Sequence, residues 1–381
     1  MSGENSFPIL SGRKKIIILT VVLLILIAVA VFLYRDKLNN KVFNSYSVTG
    51  SVKIDSQIVT NSKKFYGGVL LYSADGISFY KEGREVWNKA IDMSAPVIDT
   101  CGGYIAMAES KSNDIYIFDK NGNQYNIQST YPVISVQVSK QGVVAATLDD
   151  GDANYIELSD KDGNKIASGR TVLAGDGYPL DISISEDGQK LVASYISVSN
   201  GTTQSKVVFY NFSAVGENEV DRIVGGFNQY KSTLVPDVEF INNSTVVAFG
   251  DNMFSIYSID EKPKLVYEKE FDDKIRNVFY NADNIGIIFE SQEASETGIL
   301  KVYDKKGKVV MTKKLDFPYT EAYFAGENVV FSNGAECKMF SFKGKCRFDY
   351  VFDMNVRRIL PLSYEKYILV AEEEISEITL K

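Results

Sequence analysis

The chain has 381 residues and a net charge of −8, with 45% hydrophobic and 24% charged residues and no histidine. The negative charge argues against nucleic acid as a partner of the folded part. The missing histidine removes Ser-His-Asp and Cys-His nucleophile arrangements, most catalytic zinc sites and the commonest general base.

The N-terminal 15 residues read as a short tail, residues 16–34 as a transmembrane helix and residues 35–45 as a linker. Between Ile16 and Tyr34 the run IIILTVVLLILIAVAVFLY carries no charge, which is long enough to cross a bilayer core of roughly 30 Å as a helix. The alternative is a cleaved signal peptide, since Ala28-Val29-Ala30 has the small-x-small form. The apolar run continues through Val31, Phe32, Leu33 and Tyr34, however, which favours a retained signal anchor. Arg13, Lys14 and Lys15 on one side are matched by Arg35, Lys37 and Lys41 on the other, so the basic flanks do not set the orientation. The short tail does: it is expected to stay in the cytoplasm while residues 46–381 form an extracytoplasmic ectodomain on the cell membrane.

From Ala95 onward the chain repeats itself. APVIDTCGGYIAMAESKSNDIYIFDKNGN (Ala95–Asn123) is followed by YPVISVQVSKQGVVAATLDDGDANYIELSDKDGN (Tyr131–Asn164). Each copy runs proline, short strand, second strand, aromatic alternating strand and a D-K-x-G turn. Six prolines, Pro96, Pro132, Pro179, Pro236, Pro318 and Pro361, are expected at strand starts, where no ladder hydrogen bond is lost. The second strand recurs eight times: GVLLYS, YIAMAE, GVVAATL, KLVASYI, TVVAFG, IGIIFE, NVVFSN and YILVAE. The third strand alternates aromatic and polar residues and closes on a glycine turn, giving one buried and one exposed face. The mean period is about 43 residues, that of four-stranded propeller blades. The pattern predicts an all-β, eight-bladed propeller, with seven blades the alternative. Only three strands remain after Pro361, so Tyr46–Ile54 (YSVTGSVKI) is expected to complete the last blade and remove the open edges.

The recurring alternation ending in Y-D-x-x-G resembles the pyrroloquinoline-quinone-like and WD40-like propeller repeats, and ISISEDGQKLVASY (Ile182–Tyr195) is similar to the S-x-D-G-x-x-L-A signature of WD40 and TolB propellers. The order of tail, span and propeller also resembles a family of membrane-anchored proteins of clostridial Gram-positive bacteria, from which no activity carries over. Quinone-dependent dehydrogenases staple their blades with repeated tryptophans, whereas this chain has one, Trp87. The resemblance therefore implies architecture and no redox cofactor.

The remaining chemistry is sparse. The turn at Lys343-Gly344 should set Ser341, not Cys337, opposite Cys346, so Cys101, Cys337 and Cys346 read as free thiols. Asp119–Asn123 and Asp160–Asn164 have glycine fourth and read as hairpin turns rather than calcium loops. Asp149, Asp150 and Asp152 crowd one loop, yet read as solvated acids; no metal is expected. The loops joining second to third strands carry Asp149, Asp150, Asp152, Asp251, Glu293 and Glu296, beside Tyr131, Tyr178 and Tyr319 next to the prolines. An acidic rim with interleaved tyrosines suits a basic protein or polar ligand. The chain thus reads as a non-enzymatic interaction scaffold at the cell envelope, with an envelope protein or polar ligand as partner. The alternatives are a sensor or cell-wall glycan-binding module and, behind them, a carboxylate-based hydrolase.

Overall fold

A computed structural model of the chain describes residues 19–31, 41–55, 61–172, 175–199 and 201–381. Residues 61–90 form blade I, 96–128 blade II, 133–171 blade III, 178–227 blade IV, 237–270 blade V, 275–315 blade VI and 321–351 blade VII. Each is a four-stranded antiparallel sheet in chain order. Blade VIII takes three strands from 356–380, and Tyr46–Lys53 pairs antiparallel with Glu374–Leu380 as its outer strand. Eight blades replace the seven-bladed alternative.

The alternating third strands explain the packing. Ile115, Ile117 and Phe118 of blade II are buried while Tyr116 between them is only half-buried, as a period of two requires. The apolar sides meet across blade boundaries in eight buried clusters, one at each junction including VIII to I. The VIII–I cluster has the fewest buried members: Val69, Leu71, Leu360, Ile368, Val370 and Ile375. Polar bonds reinforce that junction: the Glu82 amide donates to Glu377 Oε1 at 2.7 Å, and the Arg358 guanidinium donates to the Ser62 carbonyl.

Two details differ from the sequence reading, and a third expectation reaches beyond the described residues. Pro361 ends the inner strand Val356–Pro361 of blade VIII instead of starting a strand. That blade begins with Val356, so the proline rule holds for blades II to V and loosely for VII, where Pro318 precedes Glu321–Ala325. Cys346 lies opposite Phe340 rather than Ser341, because the turn sets Ser341 against Lys345; the irregularity between Met339 and Phe340 restores the expected register only beyond that pair. Cys337 faces Tyr350, so the two thiols remain far apart along the hairpin, and both are free. Third, residues 19–31 are helical and exposed, and among the described residues no helix is long and apolar enough to cross a membrane. The expected span, 16–34, reaches beyond the described residues at both ends, as does most of the 35–45 linker.

The turn glycines serve two purposes. Gly122 and Gly307 have φ of +81° and +81°, the left-handed region that side chains resist. Each also sits against an aromatic ring of the preceding blade's outer strand. A Cβ on Gly122 would lie 2.8 Å from the Trp87 ring, and one on Gly307 would lie 2.1 Å from the Tyr267 ring. Gly151 shares the positive φ, at +89°, but has open space around it. Gly151→Ala should therefore cost about 1 kcal/mol from backbone strain. Gly307→Ala should cost about 2–4 kcal/mol, since overpacking against Tyr267 adds to the same strain. Thermal unfolding of the two variants side by side checks this; equal losses would remove the ring contact from the argument.

Candidate functional site

Strand direction sorts the loops onto two faces. Inner strands start, and second-to-third loops turn, on one face; third-to-fourth turns lie on the other. The described N-terminal segment, 41–45, arrives on the turn face, where blade VIII's outer strand begins. It is fixed there by Arg347, which is 0% exposed. The Arg347 Nε donates to the Lys41 carbonyl at 2.9 Å and its Nη1 to Asn328 Oδ1 at 2.9 Å, and a further nitrogen donates to the Tyr364 hydroxyl. Its guanidinium lies 5.2 Å from the Phe43 ring centroid and 4.6 Å from that of Tyr364. Phe43, 1% exposed, bridges to Phe348 and joins the VII–VIII cluster.

On the turn face several lysines have partners: Lys120 donates to the Tyr66 hydroxyl at 2.8 Å, Lys161 pairs with Asp162 at 2.7 Å and Lys305 with Asp283 at 2.8 Å. Asp119 and Asp160 cap their own turns. Asp160 accepts from the amides of Asp162 at 3.0 Å and Asn164 at 2.8 Å, and from the Asn164 side chain at 2.8 Å. The Asn164 side chain, and then its amide, hold the Asp160 carboxyl below the usual range. These carboxylates serve hairpins.

The opposite face gathers part of the sequence-derived site. Tyr131, between blades II and III, stacks on Tyr155 at 4.7 Å and 21°. The hydrogen bond to Tyr155 raises the Tyr131 hydroxyl above its ordinary range. Tyr178, between blades III and IV, is raised by burial and by the Asp149 charge. Asp149 Oδ1 accepts from the Gly151 amide at 2.9 Å, while Asp150 Oδ1 accepts from Asp152 at 3.1 Å and from Ala153. Asp152 remains exposed. Tyr131, Tyr155, Tyr178 and the three aspartates thus form one ridge around blade III.

The other named residues lie elsewhere. Asp251 is two blades on, accepting from the Leu234 amide at 3.2 Å. Tyr319 is in the VI–VII loop, packed on Phe331 at 5.3 Å under Arg276. Glu293 and Glu296 hold Lys314 at 3.0 and 2.6 Å. Tyr155 was missed because its strand reads simply as an alternating third strand; no signal separates it from its counterparts.

The inner strands carry a second group that the sequence does not flag. Lys63 pairs with Asp99 at 3.1 Å, and Arg358 with Glu321 at 3.0 Å. Asp99 accepts from the Val138 amide of the next blade at 3.0 Å, Asp181 from Val238 at 3.0 Å, and Ser183 from Phe240 at 3.0 Å. A bulge between Pro179 and Asp181 sets that carboxylate against blade V. Burial, followed by the charges of Asp99, Asp237 and Asp181, raises the Glu239 carboxyl well above its usual range. Residues of blades II, IV and V that repel one another must share the axial space. Among the described residues no group of three or more acidic or thiol side chains is arranged to hold a metal ion.

These features define a closed eight-bladed propeller with a tyrosine–aspartate ridge on one face. The chain belongs to the family described as a family of unknown function (DUF5711), which matches residues 39–380. No curated protein matches it. Among solved structures it is similar to BamB from Moraxella catarrhalis, with 10% identity and a TM-score of 0.55 over 88% of this chain and 100% of that one. It is also similar to Chaetomium thermophilum Sqt1 bound to the N-terminus of ribosomal protein L10, with 9% identity and a TM-score of 0.56 over 87% and 99%. At such identities the likeness shows the fold.

Burial pushes the Asp181 carboxyl up to about 7, with Asp237 adding to it. The folded state then holds this proton to about pH 7, whereas an unfolded aspartic acid releases it near pH 4. Stability from this group is therefore full below about pH 4 and falls as pH rises towards 7. Asp181→Asn keeps an acceptor for the Val238 amide and removes the charge. It should raise the melting temperature at pH 8 relative to the unaltered chain and leave it nearly unchanged at pH 4. Calorimetry at both values is decisive, and a loss at pH 8 would show that the ionised carboxylate is wanted.

Proposed function

We propose that the chain is a membrane-anchored, extracytoplasmic scaffold that holds a protein partner at the cell envelope of a Gram-positive bacterium, by binding rather than by catalysis. The observation that carries this reading is the ridge of Tyr131, Tyr155 and Tyr178 with Asp149, Asp150 and Asp152, on the face turned away from the segment that Arg347 clamps. The uncharged run Ile16–Tyr34 supports the anchor. With residues 41–45 fixed on the ring, only residues 35–40 separate the run from the clamp, at most about 20 Å of chain. The turn face is then held towards the bilayer and the ridge towards the partner.

Flat tyrosine surfaces give contact area at low entropic cost, and aspartates at their edge steer a basic segment towards them. Sqt1, of similar fold, binds the N-terminus of a ribosomal protein, and a comparable mode here would seat a basic stretch of the partner across blades II to IV.

A photoreactive residue at Asp152 in intact cells should crosslink a discrete protein, while one at Lys306 on the turn face should crosslink lipid or nothing. Replacing Tyr131 and Tyr178 together with alanine should lower capture at least about tenfold with little change in melting temperature. Undiminished capture, or capture only from Lys306, would defeat the assignment of faces.

A further inference from the structure

Blade IV breaks the repeat. In blades I, II, III, V, VI and VII a short turn joins the third strand to the outer one. In blade IV the connection runs from Phe212 to Arg222 through two short 3₁₀ turns, Ala214–Gly216 and Val220–Arg222. The third strand, Thr202–Asn211, is 10 residues long, yet the outer strand Ile223–Phe227 pairs with it only from Val207 to Tyr210. The sequence shows the same break, since NFSAVGENEVDR stands where the other copies have a K-G turn or its equivalent.

The uncovered space is a cleft of about 280 Å³ between the outer strand of blade III and blade IV. That volume is at the lower end for ligand pockets, which limits the occupant to a small molecule or a single unit of a polymer. Its floor is aromatic. Tyr210, near the end of the third strand, and Phe212, just past it, have rings parallel within 1° with centroids 6.4 Å apart. The Tyr195 and Tyr210 hydroxyls are bonded at 2.6 Å. Burial raises both, Tyr210 to about 12, so both are neutral at physiological pH.

The walls carry Lys206 and Arg222; Arg170 also borders the cleft, but it stands opposite Tyr155 and its side chain faces the tyrosine ridge. Lys206 lies 5.2 Å over the Tyr195 ring. Among the described residues neither Lys206 nor Arg222 has a carboxylate within ion-pair distance, in a chain of net charge −8 whose other surface lysines are often paired. Two acids share the wall: Asp176, which accepts from the Val172 amide at 3.1 Å, and Asp221. Asp221 and Arg222 are held at φ of +53° and +61°, a conformation that costs roughly 1–2 kcal/mol per residue. Lys262 of the neighbouring blade anchors the same connection through Glu219 at 2.8 Å. The loop is thus fixed in a strained form that brings both charged side chains to the cleft.

We propose that this cleft binds an anionic sugar. Its phosphate or carboxylate is held by Lys206 and Arg222, its ring lies against the Phe212 edge of the aromatic floor, and its hydroxyls bond to Asp176 and Asp221. Unpaired cations call for an anion. A flat aromatic floor with acids at its margin suits a hydroxylated ring better than a bare ion or an aliphatic tail. The site is separate from the tyrosine ridge, and its occupancy does not depend on which protein the ridge holds. The sugar could be a free sugar phosphate or a unit of a phosphate-bearing glycan.

Titration calorimetry of the full-length chain with N-acetylglucosamine 1-phosphate, N-acetylglucosamine and inorganic phosphate, together with co-sedimentation on a phosphate-bearing glycan polymer, tests this. The sugar phosphate or the polymer should bind at least tenfold more tightly than either phosphate or neutral sugar, and weaken with added salt. Saturation by the free sugar phosphate assigns the soluble source; retention by the polymer alone assigns the glycan. The doubly substituted K206Q/R222Q chain should lose at least tenfold in affinity at an unchanged melting temperature; Phe212→Ala should lose at least tenfold too, with a lower melting temperature because Phe212 packs against the III–IV cluster. Asp152→Asn, on the ridge, should bind normally. Binding to neither ligand, equal binding of inorganic phosphate, or affinity untouched in K206Q/R222Q would overturn the proposal.

Discussion

Eight four-stranded sheets can close on themselves only if the last is completed from the far end of the chain, because a three-stranded blade would leave Glu374–Leu380 with an open edge. Tyr46–Lys53 supplies that strand. Its start is secured by Arg347, which ties Phe43 and the Lys41 carbonyl to blade VII. A fully buried guanidinium is tolerable only when its donors are satisfied, and here a carbonyl, an amide oxygen and a phenol accept from it. The closure therefore joins three parts of the chain: the N-terminal segment, blade VII and the final hairpin.

With the ring closed, each blade is wedged between two neighbours, and most of the interior consists of interfaces between sheets rather than one central core. Two small devices lock those interfaces. On the turn face, glycines 122 and 307 admit the Trp87 and Tyr267 rings of the previous blade. Near the axis, carboxylates and hydroxyls reach forward to the next blade's amides, as Asp99 does to Val138 and Asp181 to Val238. The axial carboxylates satisfy neighbouring backbone donors but crowd one another, so Glu239 and Asp181 keep their protons more readily than surface acids do. They serve the ring's geometry.

A scaffold locked in this way leaves its loops free to differ. The ridge around blade III and the cleft beside blade IV adjoin the same junction, diametrically across the ring from blade VIII, where the chain's N-terminal segment is clamped. One side of the molecule holds the chain in place, and the opposite side presents its least repetitive surface.

The sequence by itself determined the architecture. Strand periodicity, strand-initial prolines and glycine turns are local signals, repeated about every 43 residues, and each is set by backbone rules acting over a few positions. The exceptions are also local in cause: Pro361 falls at the end of its strand, and a turn that sets Ser341 against Lys345 brings Cys346 opposite Phe340. The long connection in blade IV is marked in the sequence by a missing turn, but nothing in it says that Lys206 would flank it. Only the tertiary structure decided which side chains meet: Tyr131 with Tyr155 but not Tyr319, Arg347 with Phe43, Asp99 with Glu239. Those partners lie in different blades or on different strands. A repeat that makes every blade alike in backbone carries no information about which side chains its closure will bring together.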